Sequence, residues 1–333
     1  MNDLISRLGQ LFVVGFAGEQ PPVDLLNFLA EERIGGVILF GESCSSLQLV
    51  RENIEQIREA LQGARSPFIA IDQEGGRVSR IKGAPAQIQA ASEYGNSLGL
   101  EKFEEDYRRS AVYLESLGFN LNLAPVADIG FNPNNNCLQG RTFADSPEKV
   151  EPFVRKAVQL SRIAGLISCL KHFPGLGAAE IDPHLGIAEA SYDELIWQQR
   201  EMLPFQAGLE AGADLVMSTH VRIDGFGDEI ATANGEMIQT LLRDQLAFDG
   251  PLITDDLTMK GAAGLGPYGE RAVKAFMAGH DMLLFGPNHE ASMEAFDFFE
   301  NAVRHGEIPV ERIKRSLERV ASVKLKLDST VIR

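Results

Sequence analysis

The chain is expected to be an α/β protein folded as a (β/α)8 barrel of the TIM type, a single domain over residues 1–333 with an extra helix at its C-terminal end. Three observations predict this. Short apolar runs rich in Val, Ile, Leu and Phe alternate with longer segments of helical period. The runs number eight, as such a barrel requires. No Gly-rich dinucleotide fingerprint follows the first run, which disfavours a doubly wound open sheet.

Taken in order, the candidate strands are LFVVGF (11–16), GGVILF (35–40), PFIAID (67–72), FNLNLAPVAD (119–128), LISCLKHF (166–173), DLVMSTHV (214–221), GPLITDD (250–256) and HDMLLFG (280–286). The helical stretches between them include SSLQLVRENIEQIREAL (45–61), SPEKVEPFVRKAVQLSRIAG (146–165), YDELIWQQREMLPFQAGLEAG (192–212) and NGEMIQTLLRDQLAF (234–248). Several close on Gly, the residue that best adopts the left-handed turn ending a helix. The extra helix is PVERIKRSLERVASVKLKL (309–327).

Composition narrows the function. A hydrophobic content of 44% with 23% charged residues and 32 Gly describes a globular protein able to bury a large core. The net charge of -16 disfavours nucleic acid and anionic membranes as partners, because phosphate binding needs clustered Lys and Arg. Cys44, Cys137 and Cys169 are odd in number and lack CxxC spacing, which suits a reducing compartment. The opening MNDLISRLGQLFVVGF reads as an amphipathic turn running into a strand rather than a secretory leader. No apolar run is long enough to span a bilayer, so the expected location is the cytoplasm.

Catalytic residues of such barrels sit where strands run out at their C-terminal ends. Charged residues fall at those ends on five strands: Asp72 and Glu74, then Asp128, then Lys171 and His172, then His220, then Asp255 and Asp256. One such coincidence is ordinarily a cap or a satisfied core group, whereas five argue for a site. The segment KHFPGLGAAEIDPHLG (171–186) adds two histidines, a lysine and two acids in a stretch with neither helical nor strand period.

The segments IDQEGGRVSRI (71–81), GRTF (140–143), KHFPGLGAAEIDPH (171–184) and ITDDLTM (253–259) resemble, in order, the motifs of glycoside hydrolase family 3. The match is to the single-domain β-N-acetylglucosaminidases of bacterial cell-wall recycling. The resemblance covers nearly the whole chain. It implies a retaining exo-β-N-acetylglucosaminidase that removes terminal N-acetylglucosamine from muropeptide fragments or chito-oligosaccharides through a covalent glycosyl-Asp intermediate. It implies no cofactor and no metal. Asp255 matches the nucleophile, a task suited to a carboxylate that is ionised at neutral pH. Neighbouring strand residues point to opposite sides, so Asp256 is read as a solvated strand-end acid.

The acid/base of this group is not a second carboxylate but a His paired with an Asp two residues before it, which match His184 and Asp182. Residues two apart in an extended segment share a side, and Pro183 keeps Asp182 extended. Sugar binding is implied for Asp72, Arg80, Arg141, Lys171 and His172, since buried charged groups reject a sugar that leaves them unpaired. Glu74 and Arg77 are expected to pair with each other as scaffold, and His220 to be structural.

One position departs from the pattern: Leu176 stands where a His is usual, and this bears on how the loop docks over the sugar. The alternatives are a β-glycosidase or glycoside phosphorylase of the same family and a barrel metallohydrolase using His172, His184, His220 and Asp255. A degenerate sugar-binding protein is a further alternative. The expected assembly state is a monomer or weak dimer.

Overall fold

The computed structural model describes residues 2–62, 66–83, 85–180, 183 and 186–330. All eight candidate runs contain strands: β1 (Phe12–Gly15), β2 (Gly36–Leu39), β3 (Phe68–Ile71), β4 (Leu121–Asn122), β5 (Ile167–Phe173), β6 (Leu215–Ser218), β7 (Leu252–Ile253) and β8 (Leu283–Phe285). They form one parallel sheet in the order β7-β6-β5-β4-β3-β2-β1-β8. A parallel bridge from Ile253 to Met282 brings its two ends together, so the barrel is nearly closed. Every residue of these strands is buried, which is why they read as continuous apolar runs rather than alternating ones.

Three elements depart from expectation. The run 119–128 pairs only at Leu121–Asn122, with a single bridge resuming from Val126 to Lys171. Pro125 carries no amide for the ladder and breaks it. The helix expected over 192–212 is two, Glu194–Gln199 and Met202–Glu210, with Arg200 at φ -133 between them. The stretch 234–248 begins with Asn234 capping the Met237 amide at 2.9 Å and then widens into a π-helix over Ile238–Gln245. The helices at 45–61 and 146–165 form as expected, over Leu47–Ala60 and Pro147–Ala164, the second ending on Gly165 at φ 82.

The helix Val310–Thr330 packs at the end of the barrel where strands begin. Lys324 donates to the Gly35 carbonyl just before β2 at 2.7 Å and to Gln10 Oε1 at 2.8 Å. Arg312 and Arg319 reach Asp281, just before β8. This leaves the opposite end to the loops. Two small sheets build that rim: a hairpin of Gln73–Gly75 with Val78–Ser79, and a parallel pair of Ala188–Ala190 with Val221–Ile223. Among the described residues, no helix is long and apolar enough to cross a membrane.

Candidate active site

At the C-terminal ends of the strands lies a cavity of about 160 Å³. Asp72, Arg80, Arg141, Lys171, His172 and Asp255 all line it, although they come from four separate segments of the chain. Glu74 and Asp256 join them, and the remaining wall is apolar, with Phe40, Met217 and Met259 among its members.

Asp72, Glu74, Arg80, Arg141 and Lys171 form one connected network. Lys171 Nζ donates to Asp72 Oδ1 at 2.8 Å and pairs with Glu74 Oε1 at 2.6 Å. Arg141 grips Glu74 with two parallel bonds, Nε to Oε2 and Nη2 to Oε1, both 2.8 Å. Arg80 Nη2 reaches Asp72 Oδ2 at 3.4 Å. Burial by itself would raise both carboxyls. Lys171 and Arg80 outweigh it at Asp72, and Arg141 with Lys171 at Glu74, so the first lies below and the second well below its ordinary value. Burial opposes the charge on Lys171 too, yet Asp72 and Glu74 raise its pKa above that of a free lysine. All these groups are thus held ionised. Four acids, Asp72, Glu74, Asp255 and Asp256, and three cations, Arg80, Arg141 and Lys171, line the cavity. With no excess of positive charge, it suits a neutral ligand with many hydroxyls better than an anion.

Asp255 follows β7, where its amide donates to the Ser218 carbonyl at 3.0 Å. Its Oδ1 accepts from the Asp256 amide at 2.8 Å, while among the described residues Oδ2 has only the Thr219 hydroxyl at 3.5 Å. Oδ2 is therefore the less committed oxygen. Asp256 is not the solvated acid expected. Its Oδ1 accepts from the amides of Thr258 and Gly286, both at 2.8 Å, and its Oδ2 from the Thr258 hydroxyl at 2.9 Å. Burial raises its pKa although these bonds oppose the shift, and its carboxylate is spent on shaping the turn after β7.

The expected Glu74–Arg77 pair does not form. Glu74 turns into the barrel mouth toward Arg141 and Lys171, whereas Arg77 points outward and donates to the Asn136 carbonyl at 2.8 Å and to that of Cys137. His220 is structural as expected: it is fully buried, Nε2 donates to the Asp256 carbonyl at 2.9 Å and Nδ1 lies 2.7 Å from the Thr232 hydroxyl. Burial lowers its pKa. Both ring nitrogens of His220 are engaged, as are both of His172, by Asp128 at 2.6 Å and Arg141 at 3.1 Å. Neither of these two imidazoles offers a lone pair free of a protein partner. Among the described residues, no group of three or more His, Cys, Asp or Glu is placed to hold a metal ion.

Asp182 and His184 lie outside the described residues. The loop before and between them is tied down. The Pro174 carbonyl accepts from Trp197 Nε1 at 2.8 Å, the Gly175 carbonyl from the Tyr192 hydroxyl at 2.9 Å, and the Leu176 carbonyl from Asn135 Nδ2 at 2.8 Å. Leu176 itself is buried, so an apolar side chain here contributes packing to the base of the loop. Beyond it, the Pro183 carbonyl accepts from the Gly261 amide at 2.9 Å.

Two residues of this region had no role assigned from the sequence. Asp128, at the end of the fourth run, was marked by the same strand-end position as the others but by no partner. Glu201 sits buried beneath Gly175 and takes a bond from Arg200 Nε at 2.6 Å. Its only sequence signal was an acid inside an apolar helical stretch.

Residues 4–323 match the model of the glycosyl hydrolase family 3 N terminal domain. The chain is 30% identical over 336 residues to beta-hexosaminidase A of Pseudoalteromonas piscicida, spanning 92% of this chain but only 56% of that protein. It is 33% identical over 283 residues to a beta-hexosaminidase of Vibrio cholerae, covering 84% of each. Among solved structures, a glycoside hydrolase family 3 beta-N-acetylglucosaminidase from Paenibacillus sp. str. FPU-7 superposes with a TM-score of 0.93 at 30% identity, over 98% of this chain and 62% of that one.

Proposed function

The chain belongs to glycosyl hydrolase family 3, and from that premise we propose that it is a retaining exo-β-N-acetylglucosaminidase. Its substrates are GlcNAc-terminated muropeptide fragments or chito-oligosaccharides. The reading treats residues 1–333 as one catalytic unit, working in the cytoplasm as a monomer or weak dimer. What carries it is the convergence of Asp72, Arg80, Arg141, Lys171, His172 and Asp255 on one cavity. The names of the relatives, beta-hexosaminidases and a beta-N-acetylglucosaminidase, support the sugar. Cys44 and Cys169 are free and buried thiols, in keeping with a reducing compartment.

In the proposed reaction an Asp255 oxygen attacks the anomeric carbon while the glycosidic C–O bond breaks. His184, oriented by Asp182, gives its proton to the departing oxygen. Water then attacks the glycosyl-Asp255 ester from the face the leaving group vacated, and His184 takes the water's proton. Two inversions give net retention. Lys171, Asp72, Arg80 and Arg141 hold the sugar hydroxyls, and a sugar lacking the matching groups leaves buried charges unpaired.

The test is release of p-nitrophenol from its β-N-acetylglucosaminide and its β-glucoside, with and without phosphate. We expect the first to be cleaved in preference, with N-acetylglucosamine as product. Preference for the glucoside would overturn the sugar assignment. Accumulation of a sugar 1-phosphate would make the enzyme a phosphorylase.

A further inference from the structure

We propose that Asp128 is a positioning residue whose two carboxylate oxygens fix the tautomer of His172 and, at the same time, the root of the loop at Leu176. The proposal rests on the sugar-binding role read above for His172. Asp128 is fully buried. Its Oδ2 lies 2.6 Å from His172 Nδ1 and accepts from the His172 amide at 3.2 Å, while its Oδ1 accepts from the Leu176 amide at 2.7 Å.

The ring is defined from both sides. A carboxylate can only accept, so Nδ1 must carry the proton. On the far side, Arg141 Nη2 stands 3.1 Å from Nε2, and a guanidinium can only donate, so Nε2 must present its lone pair. The two neighbours therefore select the same tautomer. Arg141 takes the Nε2 lone pair, so a sugar hydroxyl reaches it only by competing with that guanidinium, in a ring that cannot turn without breaking the bond to Asp128. The other oxygen of the same carboxylate holds the Leu176 amide, so the sugar contact and the base of the loop share one anchor. An Asn at this position has one accepting oxygen and one donating NH2, and cannot accept on both sides from the His172 ring and amide and the Leu176 amide.

Two measurements test this. The first uses the unaltered protein: long-range ¹H–¹⁵N correlation of the His172 ring, assigned by its disappearance in His172→Gln. A proton on Nδ1 and a bare Nε2 at neutral pH are expected. A proton on Nε2 overturns the proposal, and this result does not depend on the identity of the sugar.

The second is calorimetric affinity for N-acetylglucosamine in a double-mutant cycle of Asp128→Asn and His172→Gln. Each single change is expected to weaken binding roughly tenfold or more, and the double to be about as weak as His172→Gln alone. Losses that multiply, or unchanged affinity in Asp128→Asn, would show that Asp128 does not act through His172. If the unaltered protein failed to bind N-acetylglucosamine, the functional reading would fall and the ring spectrum would still decide the role of Asp128.

Discussion

The amide of Gly261, a short way past Asp255 in the chain, donates to the carbonyl of Pro183 across 2.9 Å. The approach leaves no room for a side chain: a Cβ at 261 would lie 2.8 Å from the Pro183 oxygen, 2.9 Å from His220 Cβ and 3.2 Å from the Gly186 oxygen. The segment after the proposed nucleophile thus touches the loop on which the proposed acid/base stands.

Gly261→Ala is expected to push that loop outward while the sugar cavity stays intact. Overpacking of this kind costs about 1–3 kcal/mol. Turnover of disaccharides should fall about tenfold or more, with less effect on aryl glycosides whose leaving groups need little protonation. Steady-state kinetics on the two substrate types check this. An equal loss on both would place the effect elsewhere.

Asp255→Ala should reduce turnover roughly a thousandfold or more while leaving the protein folded and able to bind N-acetylglucosamine weakly. Circular dichroism, calorimetry and product release together test it. Near-normal activity would transfer the role to Asp256.

His184→Ala should cripple disaccharide cleavage but spare the first step on aryl glycosides with very acidic leaving groups. The glycosyl-enzyme would then form in a burst and hydrolyse slowly for want of a base. Asp182→Ala should give a milder form of the same profile. Equal slowing of activated and unactivated substrates, with no burst, would make the histidine a binding or structural group.

Burial raises the Glu201 carboxyl to about 7, with nearby Asp128 adding to the shift and Arg200 opposing it. A carboxyl whose pKa is higher in the fold than in the unfolded chain contributes stability fully present below about 4.5. That contribution is lost as the pH rises through about 7. Glu201→Gln removes the titration and keeps an acceptor for Arg200. Urea unfolding from pH 5 to 8 should therefore show wild type losing stability relative to the variant, by up to about 3 kcal/mol. Parallel pH profiles would contradict the shift.

Asp281, fully buried at the other end of the barrel, accepts from Arg243 at 2.9 Å, Ser316 at 2.6 Å and the Leu252 amide at 3.0 Å, besides Arg312 and Arg319. Burial already pulls Arg243 down to about 10, against the pull of Asp281. Asp281→Asn leaves Arg243 and Arg312 without their counter-charge, while Arg319 keeps Asp249 at 2.6 Å. Unfolding free energy should drop by about 3–5 kcal/mol, with little effect on the intrinsic affinity of the sugar cavity. A change below about 1 kcal/mol would show that these arginines find other partners.

Strand number and strand ends were legible in the sequence because a parallel strand buried on both faces needs an unbroken apolar run, and charge can reappear only where that run stops. Asp72, Lys171, His172 and Asp255 were marked in that way, and all line the cavity. The motifs carried Arg80 and Arg141 to it as well. Local chemistry that competes with the apolar pattern was harder to see. Pro125 cut the fourth strand short, and the helix of 192–212 broke at Arg200, beside the buried Glu201.

Pairing was decided only in three dimensions. The acids Glu74, Asp128, Asp256 and Glu201 carry the same carboxyl group in the sequence. In the fold, Glu74 neutralises two cations and Asp128 orients a ring, while Asp256 shapes a turn and Glu201 is pushed toward protonation. What separates them is how far the cations and N–H donors brought within about 3 Å outweigh burial: Glu74 has two cations, whereas at Glu201 Arg200 alone does not offset the loss of solvent. Contacts of that kind join residues as far apart in the chain as Glu74 and Arg141, a distance over which composition and periodicity carry no signal.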